Sequence, residues 1–205
     1  MKNFLNISDL SSQELRKIIE EAKIRKSKRK DLNKSAADSD QPFAGKSMVM
    51  IFEKPSTRTR ISFDIATKQL GGSSIILNPD VIHYGKGDES IKDTAKVLSD
   101  YVDIIMMRTS LHKNLLEFAK YSEIPVINGL SEQSHPCQIM SDIFTFEETK
   151  GNIQGKTIAW LGDGNNNMSN SLIQAAAKFN FNLNIGCPDK YKPSKNIMLW
   201  AKKNK

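Results

Sequence analysis

Chemistry in this chain is most densely packed into Ser56-Thr57-Arg58-Thr59-Arg60. Three hydroxyls and two guanidiniums stand in five consecutive positions, between an apolar run at 47–52 and a helical pattern that follows. At a strand-to-helix turn the first backbone N–H groups of the helix lack internal partners and the helix dipole favours an anion. The hydroxyls add donors, and an arginine can grip oxygens bidentately. The segment therefore suits a phosphate group. It is not a P-loop, because no GxxxxGK[ST] pattern is present. The competing reading is an ordinary capped helix with arginines on its solvent face.

Other polar groups recur at the ends of predicted strands, where ligands of open parallel sheets bind. His83-Tyr84-Gly85-Lys86-Gly87 follows the second strand, Arg108 closes the third, and His135-Pro136-Cys137-Gln138 follows the fourth. These are expected to converge on one edge. A histidine at a strand-to-helix turn can polarise a carbonyl oxygen, and a glutamine amide can both donate and accept, so His135 and Gln138 suit a carbonyl beside the phosphate. Cys137 lacks an evident acid–base partner and reads as packing, and His112 reads as structural. Gly162-Asp163-Gly164-Asn165-Asn166-Asn167 invites a dinucleotide reading, but Asn167 stands where GxGxxG needs a small residue. A polar zwitterion or a plain tight turn accounts for it better.

The elements that must position these groups follow a βαβα order. Ser11-Ser12-Gln13-Glu14 has the form of a capping box, and Leu15, Ile18, Ile19 and Ala22 repeat at helical spacing behind it. Strands are expected near 47–52, 73–77, 103–108 and 124–127, with helices near 58–70, 89–101, 112–121 and 136–149. This predicts an α/β fold, a parallel sheet flanked by helices. The domain it forms is expected to span 1–150. After the linker Gly151-Asn152-Ile153-Gln154-Gly155, the span 151–205 begins a second, Rossmann-like α/β domain, with a strand at 157–161, a helix near 168–179 and a strand near 182–186. Only its start is present, so a truncated protein or a fragment is expected.

The chain has 205 residues, 39% hydrophobic and 26% charged, which is enough for a full core. No apolar run approaches the roughly 20 residues of a membrane helix, and the N-terminus lacks a signal-peptide core, so a cytoplasmic location is the default. Two cysteines match no disulfide framework or CxxC site. The net charge of +7 is concentrated between Lys23 and Lys34, where seven basic residues face only Asp31. No aromatic residue interleaves this run, so a solvated helix end is favoured over nucleic-acid binding.

Taken together, Phe52-Glu53-Lys54-Pro55 with the S-T-R-T-R run, Glu89-Ser90-Ile91-Lys92-Asp93-Thr94-Ala95, Arg108, His135-Pro136-Cys137-Gln138 and the Gly162 to Met168 segment strongly resemble the ornithine carbamoyltransferases of the aspartate/ornithine carbamoyltransferase superfamily. Lys54 and Cys137 resemble the ornithine branch; the aspartate branch typically has glutamate and threonine there. The resemblance implies transfer of a carbamoyl group from carbamoyl phosphate to L-ornithine, giving L-citrulline and phosphate, in a homotrimer or higher multiple, with no metal or organic cofactor. It implies that Ser56, Thr57, Arg58 and Thr59 hold the phosphate, that Thr59, Arg108 and His135 hold the carbonyl oxygen, and that Gln138, within the Pro136-Cys137-Gln138 turn, holds the carbamoyl amide. Arg58, Arg108 and His135 are then the catalytic groups, and Asn167 contacts the amino acid.

Two departures stand out. His83 occupies the place of a glutamine that usually reaches the phosphate of a neighbouring subunit. The later motifs that complete the ornithine site, an aspartate-containing S-M-G segment and H-C-L-P, are absent. Two alternatives remain: a carbamoyltransferase for aspartate, putrescine or an acylated ornithine, and an inactive remnant that binds a phosphorylated ligand.

Overall fold

The apolar runs Met48-Val49-Met50-Ile51-Phe52 and Ile104-Ile105-Met106-Met107 carry no polar alternation, the pattern of strands covered on both faces. The computed structural model, which describes residues 2–78 and 89–204, has them in that state. Four parallel strands, β1 (Ser47–Phe52), β2 (Ser73–Leu77), β3 (Ile104–Arg108) and β4 (Val126–Leu130), form a sheet in the order β2-β1-β3-β4. Period-two alternation divides the core. Val49, Ile51, Ile105 and Met107 pack with Ala95, Leu115 and Phe118. Met48, Met50, Phe52 and Met106 pack on the other side with Phe43 and Phe63. Ala95 belongs to α3 (Ile91–Tyr101) and Leu115 and Phe118 to α4 (His112–Tyr121), while Phe63 lies on α2 (Thr57–Gln69).

Because β2 lies on one side of β1 and β3 on the other, the winding reverses between β1 and β3, which is where side chains from two loops can meet around a ligand. Register puts Phe52 beside Arg108 at that edge. A bulge then pairs Arg108 with Leu130 instead of Gly129, redirecting the strand end where Arg108 sits. Gly129 makes room there for Met106, whose Sδ would stand 2.3 Å from an added Cβ and would have to move for any larger residue.

The fourth strand lies later than the apolar run at 124–127 suggests. Val126 to Leu130 stays in the ladder through Asn128-Gly129 because Asn128 is fully buried and its Nδ2 donates to the Leu5 carbonyl at 2.9 Å. Phe4 also bridges Ile127 in parallel, a pairing that no local pattern announced.

A second set of elements comprises α5 (Pro136–Lys150), β5 (Thr157–Leu161), α6 (Asn167–Phe179), β6 (Asn182–Gly186) and α7 (Lys195–Lys203), with β5 and β6 parallel. The chain forms two compact units, residues 1–5 with 24–131 and residues 6–23 with 132–205. Helix α1 (Ser12–Lys28) is divided between them. Its capping box is formed: Glu14 Oε2 accepts from the Ser11 N–H at 2.9 Å and Ser11 Oγ accepts from the Glu14 N–H at 3.2 Å. Of its apolar stripe, Leu15 and Ile19 are buried, whereas Ile18 is exposed. Among the described residues, no helix is long and apolar enough to cross a membrane.

Three of the seven cations of the basic run, Lys23, Arg25 and Arg29, pair with carboxylates, while Lys26, Lys28, Lys30 and Lys34 are exposed. Within the first unit, Arg25 and Arg29 converge on the Asp38 carboxylate, and Arg25 also reaches Asp40 at 2.9 Å. Burial would raise the Asp38 carboxyl, but hydrogen bonds from Arg29 and Arg25 outweigh it and hold it below its ordinary value. Lys23, in the second unit, binds Glu20 and Glu147.

Candidate functional site

Ser56 occupies the N-cap position of α2 in extended geometry, yet its side chain makes no capping hydrogen bond. A serine in this place normally satisfies one of the orphan N–H groups itself. Here the hydroxyl and the first-turn donors are left together, which argues against the plain capped helix. Arg58, exposed in that first turn, stands close enough to Arg108 to act on it electrostatically. Burial first, and the Arg58 charge second, make Arg108 a weaker base than an ordinary arginine. Neither guanidinium has a carboxylate partner among the described residues. Arg108 Nη1 donates to Thr59 Oγ1 at 3.3 Å, while its buried Nε has no hydrogen-bond partner among the described residues. Two neighbouring cations, one partly desolvated and neither neutralised by a described residue, make a strongly anion-seeking edge.

Arg60, the last residue of the motif, is turned to another task. Its Nη2 donates to Asn78 Oδ1 at 2.7 Å and its guanidinium lies 5.1 Å from the Phe52 ring centroid, so it ties α2 to the end of β2. Motif reading included Glu53 but gave it no role. Its Oε2 accepts from Thr109 Oγ1 at 2.7 Å and from the Ser110 N–H at 3.0 Å, and its own N–H donates to the Arg108 carbonyl at 2.9 Å. The only advance signal was an acidic residue, out of place beside an anion loop.

In the second unit, His135 is the N-cap of α5 with Pro136 just inside the helix, a preferred place for a residue without an N–H. The His135 N–H donates to Ser171 Oγ at 2.9 Å, and Asn170 Nδ2 to the Gln133 carbonyl at 3.3 Å, so α6 holds the turn that carries the histidine. Gln138 is exposed; its Nε2 donates to Asp142 Oδ1 at 2.9 Å, which fixes the amide with its oxygen available as an acceptor.

Cys137 is half-buried as a residue, and burial pushes its thiol up to about 12. At pH 8 only about one such thiol in ten thousand is ionised, and the thiolate is the reactive form. Iodoacetamide at pH 8 is therefore expected to spare Cys137. Labelling followed by peptide mapping checks this, and rapid modification there would contradict it.

The asparagine cluster divides its labour. Asn166 caps α6, accepting from the Met168 and Ser169 N–H groups at 2.9 Å each, while Asn167 is the half-buried first residue of the helix. Gly162 has φ +130°, open to glycine, and a Cβ on Gly164 would lie 2.9 Å from the Tyr191 carbonyl. These glycines serve turn and packing. His112 is buried with Nδ1 2.7 Å from Ser131 Oγ, a structural arrangement. His83 lies outside the described residues. The first unit thus brings Ser56, Thr57, Arg58, Thr59 and Arg108 to one edge, and the second carries His135, Pro136, Cys137, Gln138 and Asn167.

Residues 2–148 match the family model "Aspartate/ornithine carbamoyltransferase, carbamoyl-P binding domain", and residues 154–205 match "Aspartate/ornithine carbamoyltransferase, Asp/Orn binding domain". The chain belongs to the aspartate/ornithine carbamoyltransferase family. Within that family it is 50% identical over 204 residues to the ornithine carbamoyltransferase of Brucella ovis, covering 100% of this chain and 63% of the relative. An ornithine carbamoyltransferase structure from Pyrococcus furiosus superposes with a TM-score of 0.92 at 41% identity, over 99% of this chain and 63% of that one. The anabolic ornithine carbamoyltransferase of Campylobacter jejuni gives 0.88 at 39% identity, over 100% and 64%. The chain thus spans somewhat under two thirds of the length of these carbamoyltransferases.

Proposed function

We propose that this chain supplies the carbamoyl-phosphate site of an ornithine carbamoyltransferase, which transfers the carbamoyl group of carbamoyl phosphate to the side-chain amine of L-ornithine. The observation that carries the reading is the N-terminus of α2, without a side-chain cap, beside two guanidiniums that have no carboxylate partner among the described residues. Ser56, Thr57, Arg58 and Thr59 bind the phosphate. Thr59, Arg108 and His135 hold the carbonyl oxygen, Gln138 accepts from the carbamoyl amide through its free oxygen, and Asn167 meets the amino acid.

The amine nitrogen attacks the carbonyl carbon and negative charge grows on the carbonyl oxygen. The bond to the phosphate oxygen then breaks, and the amine proton leaves with phosphate, giving citrulline. Arg58, Arg108 and His135 stabilise charge that is greatest in the transition state. No cofactor takes part. The reading places the protein in arginine metabolism in the cytoplasm.

Calorimetric titration of the chain with carbamoyl phosphate tests the site, with binding expected. Citrulline formation on adding ornithine tests the acceptor. Absence of binding would overturn the reading, and product from aspartate or putrescine in place of ornithine would overturn the acceptor. Binding without turnover of any amine would favour a binding-only remnant.

A homotrimer, in which His83 reaches a neighbour's phosphate, is part of the same proposal. It is supported by edge strand β2, where Ile75 and Ile76 are exposed, and by exposed Ile61 on α2. Ile75→Glu is expected to shift sedimentation from trimer to monomer; an unchanged coefficient would place the interface elsewhere.

A further inference from the structure

Resting on the proposed anion site, we infer that Glu53 is a positioning residue that locks the phosphate loop to the strand end carrying Arg108. A carboxylate three residues before Ser56 is electrostatically unwelcome beside a phosphate, so its presence calls for a compensating task. The hydrogen bonds define one. Glu53 follows the end of β1, and its hydrogen bonds among the described residues go to the end of β3 and the residues just after it: its N–H donates to the Arg108 carbonyl at 2.9 Å, and its Oε2 accepts from Thr109 Oγ1 at 2.7 Å and from the Ser110 N–H at 3.0 Å. Thr109 is fully buried and anchored in turn by its own N–H to the Leu130 carbonyl at 3.0 Å. The clamp therefore spans the reversal between β1 and β3, with Arg108 next to one jaw and Ser56 to Thr59 following the other.

The buried polar side-chain atoms of this unit that lack a partner among the described residues are Glu53 Oε1, Arg60 Nε and Arg108 Nε. All three belong to residues of this edge. Unsatisfied groups there raise the cost of the arrangement, and structures keep such costs where geometry has to be held for a ligand. A two-oxygen acceptor with one oxygen engaged twice holds the two loops at a fixed spacing, the spacing at which Arg108 Nη1 donates to Thr59 Oγ1 at 3.3 Å.

Titration calorimetry with inorganic phosphate, run well below each variant's thermal midpoint, tests this. Glu53→Ala removes the acceptor and is expected to weaken phosphate binding about tenfold. Glu53→Gln retains an oxygen able to accept from Thr109 and Ser110 and is expected to rescue affinity to within about threefold of the parent. Thr109→Val is expected to weaken binding, and combining it with Glu53→Ala to add nothing, because both cut the same clamp. A purely structural residue would lower the thermal midpoint without this pattern. Phosphate binding unchanged in Glu53→Ala, or lost equally in Glu53→Gln, would overturn the inference. If Glu53→Ala does not fold, Thr109→Val alone decides, with unchanged affinity as the contrary result. Should the parent chain bind no phosphate, the anion site itself fails, an outcome visible before any variant is compared.

Discussion

Arg58→Gly is expected to weaken carbamoyl phosphate binding about hundredfold and to lower kcat/KM for citrulline formation by about three orders of magnitude, the scale for losing a charged contact to an anion and a transition-state stabiliser together. The two readouts should differ because charge on the reacting group is greater in the transition state than in bound substrate. Stability should move the other way or not at all. Arg58 is exposed and its charge opposes that of partly desolvated Arg108, so removing it relieves repulsion. Glycine in the first turn of α2 takes back about 1 kcal/mol at most through helix propensity. Arg58→Lys, which keeps charge but loses the planar fork, should fall between glycine and the parent. Unchanged binding and kcat/KM in Arg58→Gly would remove Arg58 from the site. A large fall in thermal midpoint would show that its role is in folding.

That combination, a group costly to the fold and valuable to a ligand, explains which parts of the site were readable from the chain. S-T-R-T-R showed itself because hydroxyls and guanidiniums at a strand-to-helix turn have few structural uses in such density. The sequence could not show that Ser56 would decline its capping role, since an N-cap serine looks the same whether or not it bonds its own helix. Glu53 escaped because its partners, Thr109 and Ser110, are 56 and 57 residues away and meet it only once β1 and β3 are adjacent.

The sheet was legible for a related reason. Strands covered on both faces leave unbroken apolar runs, which β1 and β3 display and which no solvent-facing segment could carry. The end of β4 was not, because Asn128-Gly129 has the composition of a turn and is kept in the ladder by burial and by the close approach of Met106. The partners of two cations in the basic run were not legible: Asp38 and Asp40, which hold Arg25 and Arg29, lie in a loop beyond it. The linker at 151–155 lies where one matched family model ends, at 148, and the next begins, at 154. The grouping of α5 with the later elements and with residues 6–23 in one compact unit had no sequence signal. Ties such as Arg16 to Glu147, 131 residues apart, have no local signature.

Glu147→Ala is expected to lower the unfolding free energy of the second unit by about 3 kcal/mol, the low end for breaking a buried ion pair. The Glu147 side chain is 2% exposed and accepts from Arg16 Nη1 at 2.7 and 2.8 Å, from Lys23 Nζ at 2.9 Å and from the Ile153 N–H at 3.2 Å. The value falls at the low end because Arg16 and Lys23 keep about a third of their side chains in water and can rehydrate. Burial alone would raise the Glu147 carboxyl, but hydrogen bonds from Arg16 and Lys23 outweigh it and hold it below its ordinary 4.5. A carboxyl depressed by folding gives its full stabilisation above the unfolded value and loses it as pH falls through the folded one. Urea unfolding followed by fluorescence, with both tryptophans, Trp160 and Trp200, in this unit, should therefore show parent and variant far apart at pH 7. The gap should narrow progressively as pH falls below 4.5. Loss of Asp38, Asp40 and Asp64 interactions in acid affects both proteins equally and cancels in the difference. A gap that stayed constant from pH 7 to pH 3 would mean that Glu147 contributes through packing, and that its charge is incidental to holding α1 against α5.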